Sequence, residues 1–315
     1  MQILVTGGAG FIGSALAARL VRDGHEVVAL DDFNEYYDPS LKRARAREFL
    51  SGCTVAEGSI TDAAFLEDLF SHYRFDVVCH LAAQAGVRYS IEHPEVYVET
   101  NVRGTQLLLE TMRKAGVMRM VFASTSSVYG NTTTAPFTEQ EAADRPVSIY
   151  AATKRSAELL AHTYSVLYGM DITCLRFFTV YGPWSRPDMA MLKFAEQIMK
   201  GEPIDIYNNG DLRRDFTFVG DIVDGFVSAI LRPMGYEIIN LGNGSPVALI
   251  DFIDLLEAKL GKKAERRLLP MQDGDVYETY ADITKAKDKL GFAPQTTFDT
   301  GVQAFVDWFK EYFKE

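Results

Sequence analysis

The sequence predicts an α/β fold, with a doubly wound parallel sheet and a smaller C-terminal α/β lobe. As far as Arg186 the chain alternates short apolar runs with amphipathic helical segments, the order that builds a parallel sheet with helices on both faces. A glycine-rich turn joins the first apolar run to the first helical segment. Beyond Arg186 the alternation weakens, which indicates a second lobe. The 315 residues are enough for both parts.

The glycine-rich turn is Gly7–Gly13, between a predicted strand at Ile3–Val5 and a predicted helix through Ser14–Val21. Gly7 suits the tight turn, and Gly10 allows another group to approach the backbone closely. The free amide groups that begin the helix can bind a pyrophosphate. The turn therefore predicts a Rossmann-type dinucleotide site. The alternative is a strand-to-helix turn that holds no cofactor.

An acidic residue follows the second predicted strand. That strand, Glu26–Leu30, ends at Asp31, at the distance from the glycine turn where a carboxylate binds a ribose 2′-hydroxyl. A carboxylate there would repel a 2′-phosphate. The sequence therefore favours NAD over NADP as the cofactor.

The other elements of the first domain follow in the same alternation. Apolar runs predict strands at Cys53–Glu57, Asp76–His80, Met118–Ala123 and Asp171–Arg176. Helical spacing predicts helices at Leu41–Leu50, Asp62–Ser71, Pro94–Ala115 and Ser148–Tyr168. His80 lies inside an apolar run and is interpreted as a packed side chain rather than a base. Asn101 interrupts the apolar period of its helix.

The segment Leu41–Leu50 carries four basic residues at helical spacing, namely Lys42, Arg43, Arg45 and Arg47. A solvated helix face explains this pattern better than a binding patch, because basic residues on a surface helix are common. We therefore expect these side chains to face water.

The second lobe has its own predicted elements. Helices are expected at Met189–Met199, Asp221–Leu231 and Ala248–Leu260, and a short strand at Ile204–Tyr207. The predicted boundaries are a dinucleotide-binding domain over 1–178, a segment near 216–241 that returns to it, and a second domain over 179–315.

Composition excludes several classes of partner and site. The net charge of −11, with no basic block to offset it, argues against nucleic acid or an anionic membrane. Cys53, Cys79 and Cys174 lie singly in apolar segments, so neither a disulfide nor a metal site is predicted. No apolar run reaches the length of a membrane span, and no secretory signal precedes the first strand. We expect a soluble, cytoplasmic protein.

Hydroxyl groups and one tyrosine are candidates for chemistry. The run Ser124–Ser127 follows a predicted strand, and ligands of open α/β sheets bind at such strand ends. Tyr150 and Lys154 lie one turn apart on a predicted helix. A nearby ammonium favours the phenolate, whose ordinary pKa is about 10, so Tyr150 could act as a base. Alone, such a pair is better explained as a surface pair, because this spacing is common on helices; the dinucleotide turn and Thr125 at a strand end favour the catalytic interpretation.

Together these pieces resemble the extended short-chain dehydrogenase/reductase family over nearly the whole chain. They are Gly7–Gly13, Asp31, Leu81–Ala83, the hydroxyl run that leads into Val128–Gly130, Tyr150 with Lys154, and Arg214–Phe216. The resemblance implies that Thr125, Tyr150 and Lys154 act on the C4 hydroxyl of a nucleotide sugar bound by the second domain. It also implies a homodimer through the helices around Pro94–Ala115 and Ser148–Tyr168.

The predicted NAD-binding residues come from the glycine turn, the ends of the predicted strands and the tyrosine helix. They are Gly7, Gly10, Phe11, Ile12, Gly13, Asp31, Asp32, Asn34, Ser59, Ile60, Leu81, Ala82, Ala83, Gln84, Asn101, Ser124, Tyr150, Lys154, Phe177 and Val180.

Three segments narrow the substrate. Ala83–Ser90, Tyr181–Ala190 and Met271–Val276 resemble the family members that epimerise UDP-glucuronate to UDP-galacturonate. Related decarboxylases and 4,6-dehydratases carry a glutamate where this chain has Ser127, so the resemblance implies no decarboxylation. The predicted substrate-binding residues are Arg88, Ser126, Ser127, Thr179, Arg186, Lys193, Ile206, Tyr207, Arg214 and Asp275.

Gln272 stands where UDP-galactose 4-epimerases carry a diphosphate-binding arginine, which leaves Arg214 and Arg186 as the predicted phosphate partners.

Three alternatives remain open. Arg88 is expected to meet the substrate carboxylate, but it could instead form a surface pair with Glu92. The substrate could also be UDP-glucose, or the chain could sense NAD without catalysis. The intact Thr125, Tyr150 and Lys154 set argues against a sensor, because a sensor needs no base.

Overall fold

The computed structural model describes residues 1–131, 135–271 and 276–314. Its strands are β1 (Gln2–Thr6), β2 (Glu26–Asp31), β3 (Thr54–Glu57), β4 (Val77–His80), β5 (Arg119–Thr125), β6 (Asp171–Phe177), β7 (Thr179–Tyr181), β8 (Ile204–Ile206), β9 (Arg213–Arg214), β10 (Phe216–Phe218), β11 (Tyr236–Leu241), β12 (Val247–Ala248), β13 (Arg266–Leu268) and β14 (Glu278–Thr279).

The helices alternate with the strands in the first part of the chain. They are α1 (Phe11–Arg22), α2 (Pro39–Phe49), α3 (Ala63–His72), α4 (Tyr89–Glu92), α5 (Pro94–Tyr97), α6 (Thr105–Ala115), α7 (Ile149–Tyr168), α8 (Ala190–Lys200), α9 (Val219–Leu231), α10 (Leu249–Leu260), α11 (Thr284–Leu290) and α12 (Phe298–Phe313). No helix in the described ranges has the length and apolar character needed to cross a bilayer.

Seven of the strands form one parallel sheet in the order β11-β6-β5-β4-β1-β2-β3. The predicted fold class is confirmed. Side chains alternate across β1, so Ile3 and Val5 enter one core and Leu4 enters the other. The first core packs α1, α9 and α11 on one face of the sheet, and the second packs α3, α6 and α7 on the opposite face.

The chain crosses between its two parts more than once. After β10 it returns through α9 to β11, which pairs with β6 at the edge of the main sheet. Helix α11 packs on the same core as α9. The smaller lobe is built from α8, α10 and α12 around an aromatic core that includes Phe216, Phe252 and Phe305. Short strand pairs, β8 with β13 and β9 with β12 and β14, border that core.

The predicted helix over Pro94–Ala115 is not a uniform α-helix. Its middle, Val98–Gly104, is a π-helical turn that joins α5 to α6. Such wide turns insert an extra residue into the helix and occur often at functional sites. Here the turn contains Asn101, the residue that breaks the apolar period, and its side chain is buried.

Candidate active site

The strand order of the main sheet reverses between β1 and β4, and a cleft opens there at the carboxyl ends of the strands. We call it the cofactor cleft. It is lined by the glycine turn, by the residues that follow β2, β3 and β4, and by Tyr150 and Lys154 of α7. All the residues predicted to bind NAD line this cleft except Asn101 and Val180.

The glycine turn leaves no room for side chains. Gly7 has a φ of +70°, and a Cβ atom there would lie 2.8 Å from the backbone nitrogen of Ala82. A Cβ atom at Gly13 would lie 2.1 Å from the carbonyl oxygen of Gly7. Gly10 caps α1 without a side-chain hydrogen bond, so the first amide groups of the helix stay available to a ligand. This cradle fits the pyrophosphate of a dinucleotide.

Backbone hydrogen bonds hold the Asp31 side chain in place in the cofactor cleft. Its Oδ2 accepts a hydrogen bond from the backbone of Ala9 at 3.0 Å, and its Oδ1 accepts one from the backbone of Phe33 at 2.9 Å. The Nζ atom of Lys42 lies 3.2 Å from the same Oδ1 and 3.6 Å from Oδ1 of Asp32. A cation therefore lies between the two carboxylates that face the predicted ribose position.

The expectation that the basic face of α2 is solvated is wrong for two of its four residues. Lys42 and Arg45 are buried, whereas Arg43 and Arg47 are exposed. Arg45 donates to the carbonyl oxygens of Trp184 and Ser185 at 2.9 and 3.1 Å, and to the hydroxyl of Tyr37 at 2.6 Å. A loop from much later in the chain covers this face of the helix, and helical spacing cannot reveal such a cover.

His80 is a packed side chain, as interpreted from the sequence. Thr105 donates its proton to the carbonyl of Asn101, so its oxygen accepts from Nε2 of His80 at 3.0 Å. This assigns Nδ1 as the acceptor of the Thr6 hydroxyl at 2.8 Å. Burial, and then the charge of Lys154, lower the pKa of His80 to about 3. The Thr6 oxygen accepts in turn from the backbone of Leu81 and Ala82 in the cleft.

Asn101 and Val180 lie behind the cleft. The Asn101 amide oxygen accepts from the backbone nitrogen of Gln84 at 2.8 Å, and its nitrogen donates to the carbonyl of Gln84 at 2.9 Å and to the Thr153 hydroxyl at 3.0 Å. It therefore fixes the loop that follows β4. Val180 is buried in the core with α9.

Tyr150 and Lys154 both face the cofactor cleft from α7. Lys154 is 3% exposed, with its Nζ atom 4.1 Å from the centre of the Phe122 ring. Burial lowers the pKa of Lys154 to about 7, and the Glu158 carboxylate opposes this effect. Burial raises the pKa of Tyr150, while the charge of Arg186 and a hydrogen bond from Thr125 lower it. Among the cations, Arg186 has the strongest effect on this phenol.

A second cleft adjoins the first and is lined mainly by the smaller lobe. We call it the substrate cleft. Of the predicted substrate-binding residues, five line it, namely Arg88, Thr179, Lys193, Tyr207 and Arg214. Arg88 lies over the Tyr207 ring, 4.9 Å from its centre. Three cationic side chains, those of Arg88, Lys193 and Arg214, line this cleft and can contact negative groups of a ligand, although the carboxylates of Glu92, Asp188 and Asp205 line it as well.

The other predicted substrate residues lie elsewhere. Arg186 lines the cofactor cleft. Ser126 and Ser127 are half-buried where β5 ends, and the backbone nitrogen of Ser127 donates to the Thr125 hydroxyl at 3.2 Å. Ile206 is fully buried in the core of the smaller lobe. Asp275 and Gln272 lie outside the described residues.

Two tyrosines escaped the sequence-based search, although they line both clefts. Tyr36 and Tyr37 lie in the loop between β2 and α2. The hydroxyl of Tyr36 donates to Asp188 at 3.2 Å, and its ring packs edge-on against Tyr89. The available signal was an aromatic pair directly after the predicted ribose-binding segment, in a stretch that periodicity assigns only to a loop.

A model of the NAD dependent epimerase/dehydratase family matches residues 3–242. One of the UDP-glucuronate 4-epimerases of Arabidopsis thaliana is 46% identical over 333 residues, covering 99% of this chain and 76% of its own length.

Solved structures are similar as well. The UDP-glucuronic acid 4-epimerase of Bacillus cereus, in complex with UDP-glucuronic acid and NAD, has a TM-score of 0.93 at 36% identity, covering 99% of this chain and 100% of its own. The UDP-glucose 4-epimerase of Thermotoga maritima, with UDP-glucose, has a TM-score of 0.91 at 34% identity, again covering 99% of this chain and 100% of its own.

Proposed function

The chain belongs to the NAD dependent epimerase/dehydratase family, and from that membership we propose that it converts UDP-glucuronate to UDP-galacturonate without decarboxylation. It is an NAD-dependent nucleotide-sugar 4-epimerase that acts on a UDP-sugar. The uronate substrate, the residue roles and the mechanism are the proposal. The observation that carries it is that Tyr150 and Lys154 line the cofactor cleft together with Ser124, at the hydroxyl-rich end of β5.

Tyr150 is the proposed base. Its phenolate removes the proton from the C4 hydroxyl and later returns it to the C4 oxygen. The charge of Arg186 and a hydrogen bond from Thr125 lower the pKa of this phenol. We propose that Thr125 would donate to the phenolate and that the ammonium of Lys154, one helical turn away, would add to its stabilisation. NAD, when bound, accepts a hydride from C4 and then returns it to the opposite face of the sugar. Between the two transfers the 4-keto sugar turns about its diphosphate link.

The substrate cleft would hold the UDP group during this rotation. Arg214 and Lys193 are the proposed partners of the diphosphate, and Arg186 is in reach of it. The 4-keto uronate is a β-keto acid, which loses carbon dioxide when its carboxylate bond aligns with the carbonyl. Arg88 and the hydroxyls of Ser126, Ser127 and Thr179 would hold the carboxylate out of that alignment.

The domain assignment is part of the proposal. Residues 1–178, with the segment near 216–241, would hold NAD, and residues 179–315 would hold the UDP-sugar.

We also propose a homodimer through α5, α6 and α7. On α7, Leu159, Val166 and Leu167 are 52, 69 and 65% exposed, and an apolar patch on one helix face suits an interface with another chain. The free thiols suit a reducing compartment, so we propose the cytoplasm.

The experiment is a product analysis of the purified protein with UDP-glucuronate and, separately, UDP-glucose. Proton NMR distinguishes the C4 epimers from each other and from UDP-pentoses. We expect UDP-galacturonate as the main product and faster turnover of UDP-glucuronate. Faster turnover of UDP-glucose would favour a neutral-sugar 4-epimerase, the alternative that the similarity to the Thermotoga maritima enzyme supports. Bound NAD without turnover of either sugar would favour an NAD sensor.

A further inference from the structure

A buried carboxylate lies one helical turn beyond Lys154. Glu158 is fully buried on α7. Its Oε1 accepts from the Ser124 hydroxyl at 2.6 Å and from Nε of Arg176 at 2.9 Å, and its Oε2 accepts from Nη2 of Arg176 at 2.8 Å and Nη1 of Arg155 at 2.9 Å. One side chain thus joins the tyrosine helix to the ends of β5 and β6, beside the cofactor cleft.

We propose that Glu158 is a positioning residue for Lys154. The Glu158 carboxylate anchors α7 to β5 and β6, and it supplies the negative charge that the buried ammonium of Lys154 needs. This inference rests on the proposed role of Tyr150 and Lys154 as the proton-transfer pair. In that mechanism Glu158 contacts neither the sugar nor the cofactor and acts through Lys154.

The charge balance around Lys154 explains why the carboxylate matters. Among the described residues, no carboxylate lies within 4 Å of Nζ of Lys154. The negative charge that stabilises this ammonium therefore acts over a longer distance than a direct ion pair. The titratable groups around Lys154 are Tyr150, which lines the same cleft, Glu158 of the same helix, His80 of β4 and Cys174 of β6. Arg155 and Arg176 are bonded to Glu158.

While Tyr150 is protonated, Glu158 is the only anion among these groups near neutral pH, and burial raises the pKa of the Tyr150 phenol. Burial, and then the charge of Lys154, hold the pKa of His80 at about 3, so His80 is uncharged. Burial raises the pKa of the Cys174 thiol well above its usual range. Arg155 and Arg176 are cations, and each is bonded to Glu158. Without the carboxylate, the ammonium would lose the largest effect that opposes its burial.

Removing the charge while keeping the shape tests the proposal. In Glu158→Gln, the amide oxygen can still accept a hydrogen bond, but the negative charge is lost. We expect the pKa of Lys154 to fall by about one unit or more, the size of shift that charges at this range produce. The high-pH limit of turnover should move to lower pH by a similar amount. Glu158→Asp keeps the charge and should restore part of the shift.

Arg155→Gln is the matched control. It removes a partner of Glu158 but keeps the carboxylate, and its side chain is 22% exposed, so a folded protein is expected. Arg155 is not among the groups that shift the pKa of Lys154, so this pKa should stay as in the wild type. If Glu158→Gln does not fold, Glu158→Asp decides the matter, because it withdraws the carboxylate by one methylene group and should lower the pKa of Lys154 by a smaller amount.

The readout is the pH titration of the Lys154 Cε resonance in NAD-bound protein labelled with ¹³C-lysine, assigned with Lys154→Met. It needs no sugar, so it stands even if the enzyme turns over a different UDP-sugar. A lower pKa of Lys154 in Glu158→Gln, with an unchanged pKa in Arg155→Gln, would support the proposal. An unchanged Lys154 titration in folded Glu158→Gln or Glu158→Asp would mean that Glu158 has only a structural role and would overturn it.

Discussion

The guanidinium of Arg186 holds the carboxylate of Asp188 in a bidentate pair, with both nitrogen–oxygen distances at 3.0 Å. Arg186 lines the cofactor cleft and Asp188 lines the substrate cleft, so the pair lies where the two meet. Its charges act on Tyr150 in opposite directions. Arg186 lowers the pKa of the phenol and Asp188 raises it, although burial has the largest effect.

This pair predicts a shift in the acid limb of the pH profile. In Asp188→Asn the phenol loses a repelling anion, so the pKa of Tyr150 should fall and activity should persist to lower pH. Asparagine can still accept the hydrogen bond from Tyr36. Arg186→Met should move the same limb to higher pH. The measurement is kcat against pH with saturating UDP-glucuronate, and identical acid limbs in all three proteins would contradict the prediction.

Lys42 should matter for NAD affinity. It lies between Asp31 and Asp32, and Lys42→Met would leave two adjacent carboxylates without their cation at the predicted ribose position. We expect NAD to bind about tenfold more weakly or worse, equivalent to about 1.4 kcal/mol. Calorimetric titration of NAD into cofactor-free protein measures this. Arg47→Met, an exposed change on the same helix, is the control and should not alter the affinity.

Tyr150→Phe should abolish epimerisation while sparing the cofactor. Phenylalanine fills the same space but cannot accept a proton, so turnover of UDP-glucuronate should fall by about 10³-fold or more. The amount of NAD that copurifies with the protein should stay as in the wild type. Turnover near the wild-type rate would remove Tyr150 from the mechanism.

Thr179 is expected to control by-product formation. It lies in the substrate cleft beside the proposed carboxylate position. Without its hydroxyl, Thr179→Ala should release more UDP-pentose, because the β-keto acid is held less firmly. Thr179→Ser keeps the hydroxyl and should resemble the wild type. The ratio of UDP-pentose to UDP-galacturonate, followed by NMR, is the readout, and a constant ratio in the alanine variant argues against the carboxylate role.

His80 should make folding stability depend on mildly acidic pH. Its pKa is about 3 in the folded chain, against an ordinary value of 6.5, chiefly because of burial. As the pH falls below 6.5, the unfolded chain binds a proton that the folded chain does not. The free energy of unfolding should therefore drop by up to about 1.4 kcal/mol per pH unit from this group. Urea unfolding between pH 6.5 and 5 measures the slope.

His80→Gln is the comparison for that slope. Glutamine can still donate and accept hydrogen bonds near Thr6 and Thr105 but does not titrate. The slope of its unfolding free energy against pH should be smaller, by the amount that corresponds to about one bound proton per molecule. Equal slopes in the two proteins would mean that His80 is protonated in the folded chain.

Much of the site could be predicted from the sequence because the carboxyl ends of parallel strands lie at the same edge of the sheet. The glycine turn, Asp31, the backbone after β4 and Ser124 each lie at or just beyond the carboxyl end of a strand, so the sequence could place them in one cleft. The tyrosine helix added Tyr150 and Lys154 through simple helical spacing. Ile206 shows the limit of this reasoning, since a strand residue can face the core instead of the cleft, and here it is fully buried.

The sequence by itself determined the fold class, the order of strands and helices in the first domain, and most of the residues that line the cofactor cleft. These features depend on local periodicity and on turns, which neighbouring residues define. Only the tertiary structure decided that Lys42 and Arg45 are buried, that Arg186 lies beside Tyr150, and that Glu158 joins three elements. The partners concerned are far apart along the chain, as with Arg45 and Trp184, 139 positions apart. A residue's spacing within its own element carries no information about which distant loop will cover it.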